Sequence, residues 1–195
     1  SILFAKNIPD CSDKNVLDIG SGSGVLAIIA SLNNAKSVIA IDVSERAIEI
    51  GTFNAKLNDC KNIKFVKCGI HEFKSKNKFD YIVFDPPFVP IPSGTRYMLS
   101  GYGEQDGLEL VHELFRKLPY LSKSDTAISI ISMSPGDKNL SILERMFIDR
   151  YYGKNFIILS NDIFGSVAPI ELAYRPFRKE KNFKQWKRGL KDNDY

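Results

Sequence analysis

The stretch Val16-Leu17-Asp18-Ile19-Gly20-Ser21-Gly22-Ser23-Gly24 constrains the fold of this chain more than any other. Val16 to Ile19 reads as a short apolar strand, and Gly24 to Asn33 reads as the helix that follows. Between them, Gly-x-Gly-x-Gly leaves no Cβ to keep a ligand away from the backbone. A second apolar run, Ser37 to Asp42, ends on an acid, so the spacing predicts a strand–loop–helix–strand unit with Asp42 at its tip.

The same alternation continues. Ser44 is placed to cap a helix that runs through Leu57, Ile63 to Val66 reads as a third strand, and Phe79 to Phe84 as a fourth that Pro86-Pro87 stops. A long connection, Asp85 to Asp106, has four prolines, and loops of that length inside a domain are usually lids or binding loops. A helix from Gly107 to about Leu118, a strand from Ala127 to Ser132 and a helix after Asp137 follow. The last two strands, Asn155 to Leu159 and Val167 to Tyr174, are close enough to form a hairpin. The pattern predicts an α/β fold, a mostly parallel sheet with helices on both faces that ends in an antiparallel pair. Residues 1–175 are expected to be one domain, and Ser1 to Asn7 reads as the end of a preceding helix, with more chain upstream.

Composition excludes several classes. At 44% hydrophobic and 26% charged, the 195 residues have the make-up of a folded domain. The longest apolar run, Val25 to Ala30, is too short to cross a bilayer, and no secretory signal opens the sequence. Cys11, Cys60 and Cys68 are odd in number and lack paired metal-ligand spacing, so free thiols, no metal and a cytoplasmic location are expected. The net charge of +4 resides in the last 20 residues. Residues 176–195 carry Arg178, Lys179, Lys181, Lys184, Lys187, Arg188 and Lys191 against Glu180, Asp192 and Asp194. They read as a basic tail on a neutral body, and nothing in the sequence speaks to an oligomeric state.

Charge and spacing then choose between cofactors. A dinucleotide fingerprint requires glycine or alanine three residues after Gly22, where Val25 stands. Asp18, just before the first glycine, would repel a pyrophosphate but can face the ammonium end of a methionine-like ligand. Both features favour S-adenosylmethionine over a nicotinamide dinucleotide and disfavour an oxidoreductase. A glycine-rich turn with an incidental aspartate is the plain alternative, and the ordered strand, helix and Asp42 argue against it.

At the end of the fourth strand stands Asp85-Pro86-Pro87-Phe88, on the edge of the sheet where α/β proteins bind ligands. Two prolines fix the backbone and remove two N–H donors, which leaves the Asp85 carboxylate and the Pro86 carbonyl as acceptors. Such a pair can hold both protons of a planar N–H₂ group, and Phe88 offers a flat face for stacking on it. A sulfonium is already a strong electrophile, so orientation and in-line approach are most of what catalysis needs. The plain alternative is a Pro-Pro strand stop with a packed Phe88.

In these two motifs the chain resembles the class I S-adenosylmethionine-dependent methyltransferases, specifically those with an (Asp/Asn/Ser)-Pro-Pro-(Tyr/Phe/Trp) signature. The resemblance runs from Val16 to about Tyr174. It implies a Rossmann-like seven-stranded sheet with the last strand antiparallel. It also implies that Gly20, Gly22 and Gly24 line the methionine part of the cofactor, that Asp42 holds the ribose and that Val43 packs on adenine. Many relatives carry an aspartate after the third strand to hold adenine N6. Here the stretch is Lys67-Cys68-Gly69-Ile70, so backbone groups around Cys68, Gly69 and Ile70 are expected to do that work.

The acceptor is less constrained. Ser100 to Leu110 contains Gly103 and Asp106-Gly107-Leu108, which resembles the HemK/PrmC-type enzymes that methylate a glutamine amide in peptide release factors. That pattern has Asn at position 85 and Tyr at position 88. Aspartate at the first position also occurs in enzymes that act on adenine N6 or guanine N2 of RNA or DNA. A basic tail interleaved with Phe177, Phe183 and Trp186 suits nucleic acid, although a solvated terminal helix explains it as well. His71 and His112 are lone histidines, better read as ordinary polar positions than as bases. The expected partner is a protein substrate such as a translation factor, or a nucleic acid, with no membrane. A non-catalytic binding module of the same fold is the competing class, and it need not keep both motifs.

Overall fold

Apolar runs without alternation are what a strand buried on both faces requires, and two of them become the middle of the sheet. The computed structural model describes residues 2–87 and 109–130. In chain order the elements are α1 (Ile2–Lys6), β1 (Asn15–Ile19), α2 (Val25–Leu32), β2 (Ser37–Asp42), α3 (Glu45–Leu57), β3 (Ile63–Lys67), β4 (Phe79–Phe84), α4 (Glu109–Leu121) and β5 (Ser122–Ile130). The five strands form one parallel sheet in the order β3-β2-β1-β4-β5. The chain builds outward from β1 to β3, then returns to place β4 on the other side of β1. That reversal opens a crevice at the carboxyl ends of β1 and β4, where Ile19 pairs with Phe84.

One face of the sheet presents Val16, Val38, Ala40, Tyr81 and Val83, and α2 covers it with Leu26, Ala27 and Ala30. Asp18 shares this face by register, opposite Ala40 and Val83. The residues of opposite parity, Leu17, Ile41, Ile82 and Phe84, are also fully buried. Helix α4 buries Val111, Leu114, Phe115, Leu118 and Leu121 at three- and four-residue spacing. Helix α3 begins as its sequence demands, with Ser44 Oγ accepting from the Ala47 N–H at 3.3 Å, Glu45 in the first turn and Lys56 in the last.

A packing lock joins α2, α3 and β3. A Cβ placed on Gly24 would lie 2.9 Å from Phe65 Cζ and 3.1 Å from the Gly51 Cα, and one placed on Gly51 would enter the Phe65 ring. The ring therefore sits on two glycines that let it approach. Alanine in a helix interior ordinarily gains about 1 kcal/mol over glycine. Here we expect Gly51→Ala to lose about 1–3 kcal/mol by overpacking, read as a lower urea midpoint, with most of the loss relieved in a Phe65→Leu background. An unchanged or higher midpoint would mean that the ring is not confined.

The structure moves two boundaries. The sequence pattern ends this helix at about Leu118, yet α4 continues through Pro119 to Leu121. In the last turn a proline forfeits one backbone donor, while Leu121 remains buried and Ser122 Oγ donates to the Leu118 carbonyl at 2.6 Å. Strand β5 starts at Ser122 rather than Ala127, because its polar first half is an irregular stretch between the Phe79–Ser122 and Tyr81–Ala127 pairs. Thr126 Oγ1 fills that gap, accepting from the Lys123 N–H at 2.7 Å and donating to the Phe79 carbonyl at 2.6 Å. The helix after Asp137, the final two strands, Phe88 and residues 176–195 lie outside the described residues. Among the described residues no helix is long and apolar enough to cross a membrane.

Candidate functional site

The glycine loop leaves β1 with three positive φ angles, +70° at Gly20, +51° at Gly22 and +82° at Gly24. Its first three residues are tied to the neighbouring strand. The N–H groups of Gly20 and Ser21 both donate to the Ile41 carbonyl, at 2.9 and 3.0 Å. Asp42 then clamps the loop, with Oδ2 accepting from the Gly22 N–H and Oδ1 from the Ser44 N–H, both at 2.8 Å. A Cβ at Gly22 would meet nothing within 4 Å, so this turn presents bare backbone to open space. Gly24 is different, since its side faces Phe65 and Gly51. That makes it the packing glycine of the three.

Asp18 is fully buried beneath this loop. The N-cap of α2 is Gly24, which has no side chain to satisfy the first helical donors. Asp18 Oδ2 does so from the strand, accepting from the Ala27 N–H at 3.0 Å. Among the described residues, its other oxygen, Oδ1, has no hydrogen-bond partner, and neither does the buried Ser21 Oγ. Burial raises the Asp18 carboxyl to about 7, with the Ala27 N–H opposing and the charges of Asp85 and Asp42 adding to the rise. Sequence reasoning missed the capping role, although a glycine N-cap six residues after the acid of an apolar strand was a usable hint.

Two further segments border the crevice. Asp85 follows directly on β4, and its carbonyl oxygen is 4.0 Å from where a Gly20 Cβ would stand, so the ends of the two motifs meet. On the other side, the Cys68 N–H donates to the Asp42 carbonyl at 2.9 Å. The Gly69 carbonyl accepts from Glu72 and Phe73 at 3.1 and 3.0 Å, closing one helical turn. A Gly69 Cβ would sit 3.3 Å from Val43 Cγ1, so this turn abuts Val43, which is itself 57% exposed. Ile70 is buried. His71 and His112 are exposed.

Comparison with known proteins identifies the family. Residues 10–146 match the family model described as a methyltransferase domain. The chain belongs to the S-adenosylmethionine-dependent methyltransferases. A putative protein N5-glutamine methyltransferase of Methanocaldococcus jannaschii is 34% identical over 143 residues, which cover 71% of this chain and 72% of that protein. A release factor glutamine methyltransferase of Lactococcus lactis is 27% identical over 175 residues, covering 84% of this chain and 62% of its own length. The solved structure of YcgJ from Bacillus subtilis overlays with a TM-score of 0.51 at 19% identity, covering 75% of this chain and 55% of that one; this likeness is one of fold.

The residues of this methyltransferase fit its cofactor. S-adenosylmethionine carries a sulfonium and an ammonium and no phosphate. Asp18, Asp42 and Asp85 make the crevice acidic enough for the latter two to raise the Asp18 carboxyl. Two buried oxygens at the loop, Asp18 Oδ1 and Ser21 Oγ, can accept hydrogen bonds that none of the described residues supplies. A pyrophosphate would meet three carboxylates instead.

Proposed function

We propose that this methyltransferase transfers a methyl group to a planar nitrogen, and that the nitrogen is the side-chain amide of a protein glutamine. The observation that carries the reading is the meeting of the two motifs. Asp85 leaves β4 beside Gly20, next to the loop whose buried oxygens suit the methionine end of the cofactor. In this reading Asp18, Gly20 and Gly22 hold the methionine part. Asp42 has lone pairs left for the ribose after accepting from Gly22 and Ser44. Val43 with Cys68, Gly69 and Ile70 flanks the adenine, and Gly24 shapes the loop from behind. When bound, S-adenosylmethionine supplies a methyl group on a sulfonium. The Asp85 carboxylate and the Pro86 carbonyl accept the two N–H protons of the substrate, Pro87 holds that carbonyl in place, and Phe88 stacks on the amide plane. These acceptors also stabilise the positive charge that develops on nitrogen.

Glutamine is favoured because the Methanocaldococcus and Lactococcus proteins carry that substrate in their names, and because Ser100 to Leu110 resembles the same group. The partner is then a protein of the translation machinery, and the free thiols suit a cytoplasmic enzyme. The finer architecture belongs to the same proposal: residues 1–175 as a seven-stranded domain with an antiparallel last strand, followed by a basic tail. A nucleic-acid amine is the second reading, favoured by Asp at position 85 and by the aromatic and basic residues of 176–195. Labelled S-adenosylmethionine offered with release factors and with ribosomal RNA separates the two. Label is expected in protein; label in RNA alone would transfer the proposal to a base.

A further inference from the structure

We infer that Lys117 on α4 is a positioning residue for the cofactor, acting through the turn from Gly69 to Phe73. The inference rests on the reading that this turn and Val43 flank the adenine. The turn is short, and its geometry comes from two hydrogen bonds to a single carbonyl, that of Gly69. A lone turn of this kind has little stability of its own. Its later carbonyls face α4, where the Lys117 ammonium receives them, donating to the His71 carbonyl at 2.7 Å and also lying 3.4 Å from the Phe73 carbonyl. A cation at the carbonyl end of a helical turn both caps it and opposes its dipole. A second tie runs between the same elements, since His71 Nδ1 is 3.5 Å from Oε1 of the buried Glu113. Glu113 is itself held by Arg116, at 2.6 Å to Nη2 and 2.8 Å to Nε. Phe73 anchors the far end of the turn beside Phe79, with ring centroids 6.4 Å apart.

The consequence lies in how α4 reaches the cofactor. Gly69 lies beside Val43, close enough that a Cβ on it would stand 3.3 Å from Cγ1, so the position of the turn sets how much room is left beside Val43. Helix α4 touches the turn's carbonyls and no part of the glycine loop in these bonds. Lys117 therefore tunes cofactor affinity without contacting the reacting atoms. Another α4 bond gives a matched control, because Lys78 Nζ donates to the Pro119 carbonyl at 3.1 Å at the start of β4. It is likewise a lysine bonded to a carbonyl, but away from the turn.

The test measures S-adenosylhomocysteine binding by calorimetry for Lys117→Met, Lys117→Arg, Lys78→Met and Val43→Glu, with hydrogen exchange of residues 69–73. Lys117→Met is expected to weaken binding about tenfold, as when the competent turn falls to about one-tenth populated. Exchange at Glu72 and Phe73 should quicken, and kcat at saturating donor should stay unchanged. Lys117→Arg should restore affinity, and Lys78→Met should leave it intact. Lys117→Gln serves if the methionine variant does not fold. Equal effects of Lys117→Met and Lys78→Met would show a merely structural lysine and overturn the inference. If Val43→Glu weakens binding but Lys117→Met does not, the clamp alone is wrong. If Val43→Glu has no effect, the adenine reading itself fails.

Discussion

Asp85→Ala should lower kcat by about 10²–10³, the loss expected when one charge-stabilising hydrogen-bond group is removed, while S-adenosylhomocysteine binds within about twofold of the parent, well under the 1.4 kcal/mol of a tenfold change. The asymmetry follows from where the residue stands. Asp85 comes after the last strand residue of β4, beside Gly20, and its proposed partner is the acceptor nitrogen. Asp85→Asn keeps an acceptor oxygen and is expected to retain much of the activity, the more so for an amide substrate, since the glutamine-methylating group that this chain resembles carries Asn there. Steady-state kinetics with calorimetry on the same preparations would settle the assignment. Equal loss of turnover and of cofactor binding would move Asp85 from the acceptor side to the donor side.

Asp18 is expected to make stability and cofactor binding depend on pH in opposite directions. Its carboxyl is raised from 3.8 to about 7 in the folded protein, chiefly by burial. Below pH 3.8 it is protonated in both folded and unfolded chains and contributes nothing. As pH rises toward 7 the unfolded chain ionises first, so the folded state loses stability, and the loss is complete above pH 7. The span corresponds to about 4 kcal/mol. Asp18→Asn keeps an acceptor for the Ala27 N–H without the charge, so its stability advantage over the parent should grow by that amount between pH 4 and pH 8 in urea unfolding. Parallel curves would remove the argument. Binding runs the other way. If the free Oδ1 receives an ammonium, the ionised form is the one that binds. S-adenosylhomocysteine affinity should then fall about tenfold from pH 8 to pH 6, and the dependence should vanish in Asp18→Asn.

Among the described residues, the strands and helices of this protein were legible because their causes are local. Val16 to Ile19, Ser37 to Asp42 and Phe79 to Phe84 are predominantly apolar runs, each with an acid within it or at its end, and parallel strands buried on both faces need such runs. Ser44 was readable as a cap because the bond it makes lies three residues away. The extra turn of α4 past Pro119 and the early start of β5 were not readable, since both depend on what packs against them, the burial of Leu121 and the bond from Thr126 to Phe79.

The glycine loop shows the division most clearly. Its sequence alone left the backbone bare there, because glycine takes the positive φ angles at residues 20, 22 and 24 without steric cost. Sequence charge also determined which ligand, because Asp18 and Asp42 suit a cation and repel a phosphate. Only the tertiary structure decided that Gly24 faces Phe65 and Gly51, that Asp18 caps α2 with one oxygen and keeps the other, and that Lys117 holds the turn beside Val43. Each of these joins residues distant in the chain or on different elements. Such contacts leave no periodicity in the sequence, because they are set by how strands and helices pack and not by the spacing within any one of them.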